Sequence, residues 1–124
     1  MGAFLIKQVA SGVKFDLLAA NGEVIATSEV YKTAAACRKG IQSVIACAPN
    51  AKFEDQTVPD KPLTNPKFEL YRDKAGLFRF RLRSRNGSII AVSEAYHAHA
   101  SCFDGMESVR QNAKNAEIMP FFEK

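Results

Sequence analysis

Asn21-Gly22-Glu23-Val24-Ile25-Ala26-Thr27-Ser28-Glu29-Val30-Tyr31 returns later in the chain as Asn86-Gly87-Ser88-Ile89-Ile90-Ala91-Val92-Ser93-Glu94-Ala95-Tyr96, at an offset of 65. The matches continue in both directions. Phe15 and Leu17 meet Phe80 and Leu82, and Cys37, Gly40, Ser43, Val44 and Ala48 meet Cys102, Gly105, Ser108, Val109 and Ala113. Phe4 matches Phe68 at an offset of 64, so the second copy gains one residue in its first turn. This density of matches marks two copies of one unit.

Each copy reads the same way. Lys67 to Arg72 alternates polar and apolar residues, as a half-buried strand does. Asp73-Lys74-Ala75-Gly76 is a turn, and Leu77 to Arg85 is a second alternating strand. Asn86-Gly87 predicts a tight hairpin in which both residues take the positive φ of a type I′ turn. Ser88 to Ser93 is the third strand. The first copy supplies Phe4 to Val9, Val13 to Ala20 and Glu23 to Ser28 around Asn21-Gly22.

A helix follows in each copy. Thr33 is the N-cap of the first, whose apolar stripe is Cys37, Ile41, Val44, Ile45 and Ala48, and Pro49 stops it. Cys102, Met106, Val109 and Ala113 form the second stripe, with Ala98 in the capping position and Ser101 as the alternative start. Gly40 and Gly105 each cost about 1 kcal/mol relative to Ala inside a helix, so they predict a close approach to the sheet. The predicted fold is α+β: a tandem duplication of a β-β-β-α unit, with an antiparallel sheet and the helix packed on one face. Phe4, Ile6, Phe15 and Leu17, with Phe68, Leu70, Phe80 and Leu82, are its expected core.

The first repeat is expected over 1–51 and the second over 67–116. Between them, 52–66 holds Pro59, Pro62 and Pro66 and reads as a stiff polar linker. An apolar tail occupies 117–124 and is expected to cover a seam. Units near fifty residues are marginal alone, so the two should pack as one body.

The 124 residues, 47% hydrophobic and 24% charged, describe a globular chain too short for a full barrel enzyme. The formal charge of +4 permits an anionic partner without demanding one. Nothing approaches the roughly 18 apolar residues of a membrane span, so no membrane association is expected. Cys37, Cys47 and Cys102 are odd in number and lack paired spacing. They read as reduced thiols of a cytoplasmic protein.

Phe-Arg-Leu ahead of Asn-Gly, then Ile-Ala-x-Ser-Glu-x-Tyr, then a short helix with Gly-Ile/Met-x-Ser-Val, resembles the YegP-like family of small bacterial proteins. The pattern falls on Phe80, Arg81, Leu82, Asn86, Gly87, Ile90, Ala91, Ser93, Glu94, Tyr96, Gly105, Ser108 and Val109. In the first copy it falls on Phe15, Leu17, Asn21, Gly22, Ile25, Ala26, Ser28, Glu29, Tyr31, Gly40, Ile41, Ser43 and Val44, and Asp16 departs from it. The resemblance implies a fold close to the one above, in units that dimerise or occur in tandem. It implies nothing about activity, because the family is catalogued as a domain of unknown function.

Period two puts Arg79, Arg81, Arg83 and Arg85 on one strand face, opposite Phe80 and Leu82. With Arg72, and Tyr71 as a stacking platform, they form a candidate anion or nucleic-acid surface. The plainer reading is a solvated face paired with Glu69, Glu94 or Asp16. The first copy has Lys14, Asp16, Leu18 and Ala20 at these positions. Leu18 and Ala20 leave an apolar patch for the tail Phe121-Phe122, a protein partner or a second copy to cover.

Ser28-Glu29 with Tyr31, and Ser93-Glu94 with Tyr96, recur without a His or Lys base. They are expected to satisfy backbone N–H groups where strand turns into helix. His97, His99 and Cys102 lack a fourth zinc ligand, and both Cys102 and Cys37 lie on helix stripes. A small metal-dependent or thiol enzyme is therefore the weakest alternative. No phosphate loop, metal motif or redox pair is present, and no cofactor is expected. The chain reads as a non-catalytic binding or structural module.

Overall fold

The computed structural model describes residues 2–120. The alternating runs of the first copy become β1 (Ala3–Val9), β2 (Gly12–Leu18) and β3 (Val24–Thr27), followed by α1 (Ala34–Cys47). A 3-10 turn over Ala48–Asn50 then leads into β4 (Lys52–Asp55). The second copy gives β5 (Lys67–Arg72), β6 (Phe78–Arg83), β7 (Ile89–Val92), α2 (His99–Ala113) and β8 (Glu117–Ile118). The β-β-β-α order is present twice, and each unit ends in one further strand.

That last strand corrects the expected linker, which begins with β4, and the tail, which begins with β8. Phe53 is the reason for the first. Its ring packs edge-on against Phe68 and Phe103, at 5.4 Å and 5.2 Å between centroids. Ile118 is its counterpart at the repeat offset.

The eight strands form one sheet in the order β4-β5-β6-β7-β3-β2-β1-β8. The two copies exchange their last strands. β4 closes the first copy but pairs with β5 of the second, and β8 crosses back to β1. These two outer pairs are parallel, and the rest of the sheet is antiparallel as expected. At the centre β3 meets β7 through Thr27 and Val92, equivalent residues of the two copies. Antiparallel pairing of equivalent residues places a local twofold axis there.

Both helices cover the same sheet face. Ile41 and Val44 of α1, and Met106 and Val109 of α2, are buried with Phe4, Phe15, Phe68 and Phe80. Each such apolar side chain contributes about 1.5–3 kcal/mol through burial. The helix glycines make their close approach to a tyrosine rather than to the strand backbone. Tyr31 and Tyr96 stack on Phe15 and Phe80, each at 6.4 Å, and bring their hydroxyls under the helices. A Cβ on Gly105 would lie 2.6 Å from Tyr96 Oη, and one on Gly40 would overlap Tyr31 Oη.

The Asn-Gly hairpins form, but with a different turn from the one expected. Gly22 donates to Ala19 and Gly87 to Ser84, at 2.9 Å and 3.0 Å, so each loop has three residues. Only the glycines take positive φ, 85° and 88°. Asn21 and Asn86 instead use Oδ1 to accept from the backbone N–H of Glu23 and Ser88. This is the turn-plus-bulge hairpin, in which one left-handed residue suffices. Thr33 caps α1, accepting from Ala36 N at 3.1 Å. Ala98 is the N-cap of α2 and offers no side-chain cap, while Ser101 lies inside the helix.

Candidate binding face on the outer sheet surface

Ladder partners point to the same side of a sheet. Asp16, Thr27, Val92, Arg81, Glu69 and Glu54 are successive ladder partners across six strands. They form one line on the side away from the helices. Three of the six are carboxylates, and all three are buried: Asp16 at 3%, Glu69 at 3% and Glu54 at 7% exposure. Cations hold each one.

Glu69 is the hub. Its Oε1 accepts from Arg81 Nε at 2.6 Å and from Arg83 Nε at 2.7 Å. Its Oε2 faces Lys67 Nζ at 3.2 Å and accepts from Gln56 at 3.1 Å. Lys67 also bonds Glu54 at 2.9 Å. Burial pushes the Glu69 carboxyl upward, but the Arg81, Arg83 and Lys67 hydrogen bonds outweigh it and hold the group at about 2. Glu54 is lowered against its own burial by Lys67, Gln56 and the Leu63 N–H. In the first copy Asp16 is lowered likewise by Lys7, at 2.6 Å, and by the Thr27 hydroxyl, at 2.7 Å.

The structure brings Arg79, Arg81 and Arg83 to one face, as the alternation predicts. Arg79 bonds Asp73 through Nε at 2.9 Å. Tyr71 lies beneath this group, but Arg81 Cζ sits 4.4 Å from its ring centre and takes up the stacking surface. Two arginines are elsewhere. Arg85 lies in the hairpin turn, because β6 ends at Arg83 after a register shift. Arg72 pairs with Phe78 on the helix side, its Cζ 4.7 Å from that ring. Among the apolar candidates, Leu18 is half-buried at the end of β2, and Ala20 is off the strand in the turn. Phe121 and Phe122 lie outside the described residues.

The repeated serines satisfy backbone N–H groups, but within β2 and β6 rather than where strand turns into helix. Ser28 Oγ accepts from Phe15 N at 2.9 Å and donates to Glu29 O at 2.7 Å. Ser93 repeats this with Phe80 N and Glu94 O at the same distances. The Glu29 and Glu94 side chains are exposed and take no part. His97, His99 and Cys102 do not converge. His99 Nε2 lies 2.7 Å from Asp55, His97 is exposed, and Cys102 is in the core. Burial pushes the Cys102 thiol up to about 11 and raises Cys37 as well. Among the described residues no three His, Cys, Asp or Glu side chains gather to hold a metal. No described helix is long and apolar enough to cross a membrane.

Sequence reasoning missed Glu54 and Gln56 at the hub, because it missed β4. The usable signal was Phe53 between charged neighbours, at the repeat offset from Ile118.

A family model described as "Domain of unknown function (DUF1508)" matches the chain twice, over residues 10–55 and 73–119. The chain belongs to this family. Both DUF1508 matches include the exchanged strand, β4 or β8. A UPF0339 protein of Pseudomonas aeruginosa is 33% identical over 116 residues, covering 93% of each chain. One from Treponema denticola is 55% identical over 53 residues, which cover 91% of that protein and 43% of this chain. The solution structure of YegP from E. coli matches with a TM-score of 0.77 at 29% identity, covering 94% of this chain and 90% of that one.

Proposed function

We propose that this DUF1508 protein is a non-catalytic binding module whose partner, an acidic protein surface, docks on the outer sheet face. The carrying observation is the anchoring of Arg81 and Arg83 through Nε to one buried carboxylate. Arg83 Nη1 also donates to Gly87 O at 2.7 Å and Arg81 Nη2 to Gln56 Oε1 at 3.4 Å, and the remaining terminal N–H groups are left for a partner. Guanidinium groups held in this way have already lost the rotamer freedom that binding would otherwise cost. No helix covers this face, and Arg79, Arg81 and Arg83 cluster on its second-copy half, while Glu94 lies with Lys7, Lys14 and Asp16 on the first-copy half. Tyr71, covered by Arg81, is a poor platform for bases, so acidic side chains fit better than single-stranded nucleic acid. A cytoplasmic location belongs to the same reading and rests on three free, buried thiols.

The test is fluorescence anisotropy with a poly-glutamate peptide and with short DNA and RNA, from low to physiological salt. The variants are Arg79→Gln and the double change Arg81→Lys/Arg83→Lys. Charge reversal at 81 or 83 is unsuitable, because it would set a second carboxylate against Glu69. Expected is salt-sensitive peptide binding that weakens several-fold in the double variant. Tighter, arginine-dependent binding of oligonucleotides would replace the acidic protein with nucleic acid. No binding of any polyanion at low salt would overturn the reading.

A further inference from the structure

β3 and β7 face each other across the junction of the two repeats but pair only at Thr27 and Val92. On either side of that pair the strands part. Beyond Thr27 the chain stays tied to β2, where Tyr31 and Val13 exchange backbone hydrogen bonds at 2.6 Å and 2.8 Å, and β7 stays tied to β6. Among the described residues no backbone hydrogen bond crosses from Glu29 or Val30 to Ser88, Ile89 or Ile90. Two strand edges thus border one gap.

The gap opens on both faces of the sheet. On the outer side Thr27, Ile89, Ala91 and Val92 line a cavity of about 290 Å³. On the helix side Tyr31, Ser43, Ser84 and Ser88 line another of about 290 Å³ beside α1. Glu29 and Ile89 border both. The Tyr31 hydroxyl makes no hydrogen bond among the described residues, yet it leaves no room for a side chain at Gly40. The phenol therefore requires a helix-weakening glycine and gives the fold no hydrogen bond in return.

A strand sends alternate side chains to opposite faces of its sheet. A segment lying in the gap would set apolar side chains in the outer cavity and hydroxyl-bearing ones beside Tyr31, Ser43 and Ser88. Its backbone would continue the interface between the repeats that Thr27 and Val92 begin, in the manner of strand addition. Residues 29–31 give an edge of about 10 Å, enough for about three residues of such a strand. The equivalent gap beyond Val92 is different. Lys7 and Lys14 border its outer side with Val24 and Glu94, and Glu23 stands where the first gap has Ser88.

We propose that the gap between residues 29–31 and 88–90 binds an extended peptide of a partner protein, with Thr or Ser toward α1 and Val or Ile toward the outer face. This site does not depend on the partner proposed for the arginine face.

The test is an amide NMR titration of the whole chain with the blocked peptide Lys-Thr-Val-Thr-Val-Thr, beside the same peptide N-methylated at its valines. Expected are saturable shifts at Glu29, Val30, Ile89 and Ile90 with the first peptide and none with the second. Tyr31→Phe, which removes no hydrogen bond from the fold, should weaken binding several-fold, and so should Ile89→Ser at an exposed position. Arg79→Gln, at the arginine face, should leave it unchanged. Equal binding of the N-methylated peptide would overturn pairing through the backbone. Shifts that stay linear, that are confined to the outer strands β4 and β8, or that survive both Tyr31→Phe and Ile89→Ser would overturn the site.

Discussion

Gly105→Ala should destabilise the protein, although helix propensity alone says the opposite. In an exposed helix interior this change gains about 0.8–1 kcal/mol. Here the new Cβ would meet Tyr96 Oη at 2.6 Å, Phe80 Cε2 at 2.9 Å and Tyr96 Cζ at 3.0 Å. The tyrosine cannot simply swing away. Its backbone exchanges hydrogen bonds with Phe78 at 2.7 Å and 2.8 Å, and its ring is stacked on fully buried Phe80. Overpacking of this kind costs about 1–3 kcal/mol, so after the propensity gain the net loss is up to about 2 kcal/mol. Tyr96→Phe removes the nearest clashing atom, and the Tyr96 hydroxyl makes no hydrogen bond among the described residues. The double variant should therefore recover about 1 kcal/mol relative to the sum of the single changes. Urea unfolding of the four proteins measures this coupling. A more stable Gly105→Ala, or a double variant that is merely additive, would show that the tyrosine contact is not what excludes a side chain at 105.

Three further outcomes follow from the geometry. Glu69 titrates at about 2 in the folded chain, below its ordinary 4.5, so its contribution is present above about pH 4.5 and is lost as pH falls toward 2. Glu69→Gln should remove up to roughly 3 kcal/mol at neutral pH and flatten the acid limb of a stability-against-pH curve. An equally steep limb in the variant would place the acid sensitivity elsewhere. Thr33→Ala should cost about 1 kcal/mol by uncapping α1, and Ala98→Thr should gain about 0.5–1 kcal/mol at the uncapped start of α2; thermal melts of the pair decide both, and equal and opposite shifts are not required. Finally, Cys37, Cys47 and Cys102 are all buried, so a thiol reagent should label them only as fast as the protein unfolds. Rapid labelling of any one in native buffer would contradict its placement.

Much of this architecture was legible because the duplication doubled every local signal. Phe15 and Phe80, Ser28 and Ser93, and Tyr31 and Tyr96 occupy matched places, and period two assigns their faces. What escaped the sequence depends on long-range pairing. Four residues of β4, alternating and charged, carry no hairpin signal, since their partner β5 runs parallel and lies across a connector. Arg72 shows the same limit. Its position five residues past Lys67 puts it on the opposite face from Lys67, and the outer-face grouping overlooked that parity. The arginines of β6 were placed correctly, but their engagement with Glu69 required the register of β5 against β6. The turn type was missed for a more local reason. Asn-Gly is compatible with two hairpin loops, and only the hydrogen bond to Ala19 or Ser84 selects between them.

The two copies agree in their core and differ on the outer face. Residues that hold the fold have been kept in both: the stacked Phe–Tyr pairs, the bridging serines, and the glycines beneath the tyrosines. The outer face has not. Leu5, Lys14, Asp16 and Leu18 stand opposite Glu69, Arg79, Arg81 and Arg83 at equivalent places. Swapping a lone Arg81 for Asp would leave Glu69 facing a second carboxylate, so the hub is stable only as a set. In the second copy Glu69 is held together with its arginines, and the exchanged strand β4 adds Glu54 and Gln56 from the first. That last dependence is the consequence of strand exchange: the charged face of one repeat is completed by residues that the other repeat encodes. A second repeat expressed alone would lack β4, leave Lys67 without Glu54, and lose the edge that aligns Gln56 with Glu69. If the outer face is the binding surface, both repeats are needed to build it, even though only one carries its arginines.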